Sequence, residues 1–130
     1  MRVEPSGAEL LRAARETLLE ELLPLIPEEG RYAARMAANA LGIAARELAG
    51  GGGDAAAELA RLAALLPEWK LAAGDPAQAV REATVQLATA IRAGKFDHDP
   101  ARVALADHLR NTTQERLAVS NPRILAPAKK

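Results

Sequence analysis

The residues best suited to binding chemistry in this 130-residue chain are arginines spaced at helical intervals between residues 28 and 48. At helical pitch the polar side of this stretch contains Arg31, Arg35, Asn39 and Arg46. A guanidinium group pairs with a carboxylate or phosphate through two parallel hydrogen bonds, so this row can hold an anionic ligand or an acidic partner surface. The competing interpretation is a solvated helix face, on which Glu28 and Glu47 pair with nearby arginines.

The same stretch predicts an apolar face on the opposite side of the helix. The members of that face are Met36, Ala37, Ala40, Ile43, Ala44 and Leu48. We expect it to contact the core, because an amphipathic helix buries its apolar side. On the polar side, Asn39 lowers helix propensity and Gly42 costs about 1 kcal/mol relative to alanine. The glycine therefore indicates that another backbone approaches closely at this point.

A second polar group lies towards the end of the chain. Thr112, Thr113 and Arg116 fall at helical angles close to those of Leu105 and Leu109. An arginine in that position either extends past the apolar side on its long stem or belongs to a recognition surface. The complete candidate interaction surface is Arg31, Arg35, Asn39, Arg46, Thr113 and Arg116.

Catalytic and metal-binding arrangements are not recognisable in the sequence. Asp97-His98-Asp99 and Asp107-His108 contain ligand-type residues, but adjacent side chains point in different directions and the spacing of paired helical ligands is missing. The chain also has no nucleophile elbow, P-loop or dinucleotide fingerprint. We therefore predict a protein that is not an enzyme and that uses neither a metal ion nor a cofactor.

Charge and composition exclude several classes of partner. The chain has 17 basic and 17 acidic residues, whereas a nucleic-acid binder needs a basic surface. The same balance argues against attraction to an anionic membrane, and no apolar run approaches the length of a membrane span. Cysteine is absent, which excludes disulfides. Because the amino-terminal sequence lacks the apolar core of a signal peptide, we expect a cytoplasmic protein.

Helix-start signals predict an all-α fold. These signals are the capping-box pair Ser6 and Glu9, Asp54, Asp75-Pro76 and Asp99-Pro100. With the helix at residues 28–49 they give a single-domain bundle of about five helices over residues 1–130, with mostly antiparallel neighbours. We expect a flexible glycine-rich turn at 50–53 and a carboxy-terminal tail at 122–130.

The first helix is rich in leucine. Its predicted apolar face comprises Leu10, Leu11, Ala14, Leu18 and Leu22. Leu19 and Leu23 lie off that face and widen it. Since extra apolar surface usually marks a contact, the sequence predicts self-association as a symmetric homodimer.

Three segments resemble a family of small bacterial proteins known only as a domain of unknown function. These segments are SGAELLRAARETLLEELLPLIP, RYAARMAANALGIAAREL and RAGKFD with LRNTTQERLAVSNPRIL. Members of that family are typically encoded beside an aminoglycoside-phosphotransferase-like kinase and an acyl-CoA dehydrogenase. Positions that match the family's recurrent features are Asn39, Arg46, Glu47, Thr113, Arg116, Asn121 and Pro122. The resemblance implies a helical accessory protein linked to acyl-CoA metabolism, and it supplies no catalytic residues.

Two functions remain open from the sequence. The first is a non-catalytic accessory or regulatory protein that binds a kinase-like phosphotransferase or the acyl-CoA dehydrogenase. The second is a binding module that holds an acyl-CoA or a phosphorylated metabolite at its arginines. The lack of a catalytic residue set favours binding over reaction in both cases.

Overall fold

The computed structural model describes residues 3–50, 53–70 and 74–128, and these contain five α-helices and no strand. The helices are α1 (Gly7–Glu16), α2 (Glu28–Leu48), α3 (Ala55–Leu65), α4 (Pro76–Arg92) and α5 (Ala101–Ser120). The all-α prediction is confirmed. Gly51 and Gly52 of the predicted turn, and the last two residues of the predicted tail, lie outside the described residues.

The predicted caps start three of the helices. Ser6 and Glu9 form the capping box of α1, in which Glu9 Oε2 accepts from the Ser6 amide at 2.7 Å. The side chains of Asp54 and Asp75 accept hydrogen bonds at the starts of α3 and α4. At the fifth helix the structure differs, because the carboxylate of Asp99 accepts from the Arg102 side chain and α5 begins at Ala101.

The chain divides into two compact units. The first unit comprises the described residues up to Gly50 together with those from Leu117 onwards, and the second unit is Gly53–Arg116. The prediction that the whole chain acts as one domain stays a prediction.

In the first unit α1 lies against α2, and the buried side of α2 consists of small residues. These are Ala34, Ala38, Gly42 and Ala45. The predicted apolar face of α2 is therefore wrong, since Met36 is 46% and Leu48 is 65% exposed. Small side chains let two helices approach closely, so the better-packed side of α2 is its least bulky one.

The leucines of the first helix are also distributed differently from the prediction. Leu10 and Leu22 are 56% and 47% exposed, whereas Leu19 and Leu23 are half-buried. After α1 the chain forms a π-helical segment, Thr17–Leu22, and a 3₁₀ turn, Leu23–Leu25. Wider π turns rotate the following residues away from their 3.6-residue positions, which moves Leu22 off the predicted face.

The second unit has a core of leucine, alanine and one phenylalanine. The buried members are Leu59, Leu62, Ala79, Ala83, Leu87, Ala90 and Phe96. Helices α3 and α4 pack together around them. An ion pair of 2.7 Å between Arg61 and Glu115 links α3 to α5 within this unit. Among the described residues, no helix combines the length and apolar character needed to cross a lipid bilayer.

Candidate functional site

The first unit contains a cleft of about 280 Å³ whose lining is mostly polar. We call it the arginine cleft, and its lining residues are Arg15, Asn39, Arg46, Ser120, Asn121, Pro122 and Arg123. They come from α1, from α2, and from the end of α5 with the 3₁₀ turn Pro122–Leu125 that follows it. Three of the seven are arginines, and none of these described lining residues is acidic.

Arg46 is the anchored member of the cleft. Its Nε donates a hydrogen bond of 2.6 Å to the backbone carbonyl of Val119, in the last turn of α5. Carbonyl groups at the end of a helix lack helical partners, and a cation there also complements the helix dipole. This hydrogen bond fixes the direction of the guanidinium group, so Arg46 would lose little conformational freedom on contact with an anion.

Gly42 brings a second guanidinium group beside that of Arg46. A Cβ atom placed on residue 42 would stand 3.2 Å from Nε of Arg15 and 3.3 Å from Nη1 of Arg46. Gly42 itself is buried in α2. A close approach does occur at Gly42, as predicted. The approaching group is the side chain of Arg15, however, and not the backbone of another element.

The charges in the arginine cleft are not balanced within the described residues. Arg61, Lys95, Arg102 and Arg110 form ion pairs with carboxylates in the second unit, whereas no carboxylate is among the described lining residues of the cleft. The carbonyl end of α5 offers the equivalent of about half a negative charge, which cannot neutralise three guanidinium groups. Like charges held close together favour the binding of an anion that relieves their repulsion.

The sequence prediction located part of this cleft. Asn39 and Arg46 line it, as members of the predicted surface. Arg31 lies elsewhere and donates from Nε to the carbonyl of Ile26 at 3.0 Å, and Arg35 is exposed outside the cleft. The predicted row on α2 is therefore divided: Asn39 and Arg46 line the arginine cleft, and Arg31 and Arg35 lie outside it.

Thr113 and Arg116 do not take part in the arginine cleft. Both belong to the second unit and both are exposed. The hydroxyl of Thr113 donates to the carbonyl of Leu109 at 2.7 Å, which is a local bond inside α5. Because the Thr113 hydroxyl donates its proton within α5, that proton is not directed towards a ligand.

Arg15, Ser120 and Arg123 line the arginine cleft and are absent from the surface predicted from the sequence. Arg15 stands in a leucine-rich amphipathic helix, where a single basic residue is an ordinary surface feature. Arg123 follows Asn121-Pro122, which the family resemblance had singled out and the periodicity had not. These residues come together only in the folded first unit, so no local spacing connects them.

The histidines do not form a metal site with other described residues. No group of three or more His, Asp or Glu residues within the described ranges could hold a metal ion. His98 is exposed. His108 is buried in the second unit, and burial, followed by the nearby charge of Arg61, lowers its pKa.

The described residues form a small all-α protein with a cleft in its first unit that is lined by three arginines. Residues 24–124 match the family model described as Domain of unknown function (DUF6285), and the chain belongs to that family. The matched range contains every lining residue of the arginine cleft except Arg15. Neither a curated protein nor a solved structure matches the chain.

Proposed function

We propose that this protein is a non-catalytic binding protein whose arginine cleft holds the phosphate group of a small molecule. The observation that carries the proposal is the pair formed by Arg15 and Arg46, whose guanidinium groups flank Gly42 without a carboxylate among the described lining residues. Arg123 adds a third positive charge. Phosphate suits this arrangement because its oxygens accept paired N–H donors from several arginines at once.

The size of the cleft restricts how much of a ligand enters it. Cavities that enclose a whole drug-sized molecule measure about 300–1,000 Å³. The arginine cleft, at about 280 Å³, is smaller and suits a phosphate-bearing end. Asn39 and Asn121 supply amide groups that can direct the phosphate or the sugar next to it. An acyl-CoA or another phosphorylated metabolite would leave most of its length outside.

The family resemblance gives this proposal a context. Proteins of the resembled family are encoded beside a kinase-like phosphotransferase and an acyl-CoA dehydrogenase, and enzymes of both kinds act on ligands that carry phosphate groups. We infer a cytoplasmic accessory protein of acyl-CoA metabolism. In this role the arginine cleft presents or senses a phosphorylated ligand for one of those enzymes.

A second candidate function is direct docking onto such an enzyme or onto a second copy of the chain. It is favoured by large apolar side chains that the first unit leaves exposed: Leu10, Leu22, Tyr32 and Met36. Single exposed apolar side chains are common on protein surfaces. They therefore support docking less strongly than the charge imbalance of the cleft supports phosphate binding. Met36→Asp should abolish docking of this kind and leave phosphate binding unchanged.

Thermal unfolding with a graded ligand series tests the proposal. The series is coenzyme A, adenosine 3′,5′-bisphosphate, pyrophosphate and pantetheine, which is the thiol-bearing arm of coenzyme A without its phosphates and adenosine. A ligand at 100 times its Kd adds about 2.7 kcal/mol to the unfolding free energy. We expect the first three to raise Tm and pantetheine to have no effect.

Matched variants distinguish the cleft from general surface charge. Arg15→Gln with Arg123→Gln removes two cleft charges, and Arg31→Gln with Arg35→Gln removes two charges outside it. The proposal requires the first pair to eliminate the Tm increase and the second pair to retain it. The proposal would be overturned if both variants lost the ligand-induced Tm increase to the same extent. It would also be overturned if no phosphate compound stabilised the parent protein.

A further inference from the structure

The second unit contains a larger cavity that is chemically different from the arginine cleft. Its volume is about 760 Å³, within the range of about 300–1,000 Å³ typical of small-molecule sites. We call it the tryptophan groove. Apolar residues Leu65, Leu66 and Trp69 line it on the α3 side, and the buried Phe96 and Ala90 line it from the core.

The apolar residues of the tryptophan groove are not fully used by the fold. Leu65, Leu66 and Trp69 pack against the core of the second unit, yet each is only half-buried. An apolar ligand in the groove would cover the remaining exposed part of these side chains, and removing apolar surface from water favours binding. The groove therefore has a driving force for taking up an apolar body.

The charged residues of the groove are two lysines and one glutamate. Lys70, Lys95 and Glu68 line it, which leaves a net charge of one positive unit. The ion pair between Lys95 and Glu68 is long, at 3.7 Å, and its side chains are 62% and 89% exposed. Such exposed pairs contribute little, so Lys95 can turn to a ligand at small cost.

We propose that the tryptophan groove binds an amphipathic monocarboxylate, with its apolar body on Trp69 and Phe96 and its carboxylate between Lys70 and Lys95. A single negative charge matches the net charge of the lining, and a compact ammonium group suits a carboxylate as a point charge. An uncharged or cationic amphiphile would gain the apolar contact and not the electrostatic one. This site lies in the second unit and does not depend on the arginine cleft.

Tryptophan fluorescence reports binding in the groove, because Trp69 lines it and is the only tryptophan in the chain. The full-length protein is titrated with decanoate, 1-decanol and decyltrimethylammonium, all below their aggregation concentrations. We expect a saturable change in Trp69 emission with decanoate. The Kd for decanoate should be at least tenfold lower than the Kd for decanol or for decyltrimethylammonium. Added salt should reduce this difference in Kd, because it screens the attraction between the carboxylate and the lysines.

Three variants define the site. Lys70→Gln with Lys95→Gln should raise the Kd for decanoate about tenfold and leave that for decanol unchanged. Arg92→Gln is the matched control, since this exposed cation at the end of α4 does not line the groove. Ala93→Phe places a ring in the groove from an exposed position and should abolish binding of all three amphiphiles.

The proposal is overturned by any of three results. These are no saturable response to decanoate, equal affinity for decanoate and decanol, and a loss in the lysine variant no greater than in Arg92→Gln. A groove that instead accepts an apolar helix of a partner protein would give the first result. If circular dichroism shows that Ala93→Phe does not fold, the lysine variant and its control still decide the question.

Discussion

Gly42 makes room for the guanidinium group of Arg15, because the side chain that residue 42 lacks would stand 3.2 Å from Nε of that arginine. Contacts of that length are tighter than most Cβ contacts, so a methyl group there would force Arg15 to shift. The two residues lie on α1 and α2, which pack against each other. Gly42, which lowers helix propensity in the long helix α2, therefore leaves the space in which Arg15 lies beside Arg46.

Gly42→Ala should weaken anion binding without unfolding the protein. The substitution improves intrinsic helix propensity by about 1 kcal/mol, and displacement of Arg15 opposes that gain. We expect the unfolding free energy to stay within about 1 kcal/mol of the parent value. The affinity for pyrophosphate, measured by calorimetry, should fall severalfold.

Gly7→Ala is the control for this substitution. A Cβ on Gly7 would meet Leu48 Cδ1 at 3.4 Å, an ordinary contact, and Gly7 does not line the cleft. Pyrophosphate affinity should be unchanged in this variant. Unaltered affinity in Gly42→Ala as well would mean that the position of Arg15 does not matter for the anion.

Arg46 and Arg123 should differ in what they contribute to stability. Arg46→Ala removes the hydrogen bond to the Val119 carbonyl, and bonds of charged groups contribute about 1.5–3 kcal/mol. Arg123→Ala changes an exposed residue and should alter the unfolding free energy by no more than about 0.5 kcal/mol. Urea denaturation followed by circular dichroism measures both. Equal stability of the two variants would contradict the capping role of Arg46.

Asn39→Ala should separate function from stability most cleanly. Asn39 is exposed in the middle of α2, where alanine is the better helix former by up to about 0.7 kcal/mol. We expect a small increase in unfolding free energy together with weaker pyrophosphate binding. If stability rises and binding does not change, the asparagine amide makes no contact with the anion.

The starts of α1, α3 and α4 could be predicted because helix caps act locally. Ser6, Asp54 and Asp75 each satisfy backbone N–H groups within three residues, so the sequence contains the whole interaction. The buried side of α2 was not predictable in the same way. Met36 and Leu48 have the stronger hydrophobic character, yet the helix buries its small residues, since their packing depends on how closely α1 can approach.

The candidate site was only partly predictable for a related reason. Asn39 and Arg46 share a helix, and helical pitch places them on one side. Arg15 and Arg123 reach the same cleft from separate elements, and their positions follow from packing rather than from spacing. The family resemblance singled out Asn121, which lines the cleft, although helical periodicity did not.

His108 should make stability depend on pH. Burial is the main cause that lowers its pKa, and Arg61 acts in the same direction, as does Arg116, while Glu58 and Glu115 raise it. Because the folded pKa lies below the unfolded value of about 6.5, the unfolded chain binds more protons between the two values. The contribution of neutral His108 to the unfolding free energy is therefore fully present above about pH 6.5. It is lost as the pH falls towards and through the folded pKa.

The substitution His108→Gln should flatten that part of the pH profile. One proton changes the unfolding free energy by at most about 1.4 kcal/mol per pH unit, so the difference between parent and variant is measurable by denaturation at several pH values. His98→Gln is the control, since His98 is exposed. If the pH dependence of the unfolding free energy changes as much in His98→Gln as in His108→Gln, His108 is not its cause.

Side-chain NMR of the arginines tests the central claim, that the arginine cleft binds phosphate, most directly. The Nε–H signals of a ¹⁵N-labelled sample are followed during titration with pyrophosphate. We predict saturable shifts for Arg15, Arg46 and Arg123, with Arg31 and Arg35 unaffected as internal controls on the protein surface. Equal, unsaturated shifts of all five arginines, or no shift in the three cleft residues, would contradict the account.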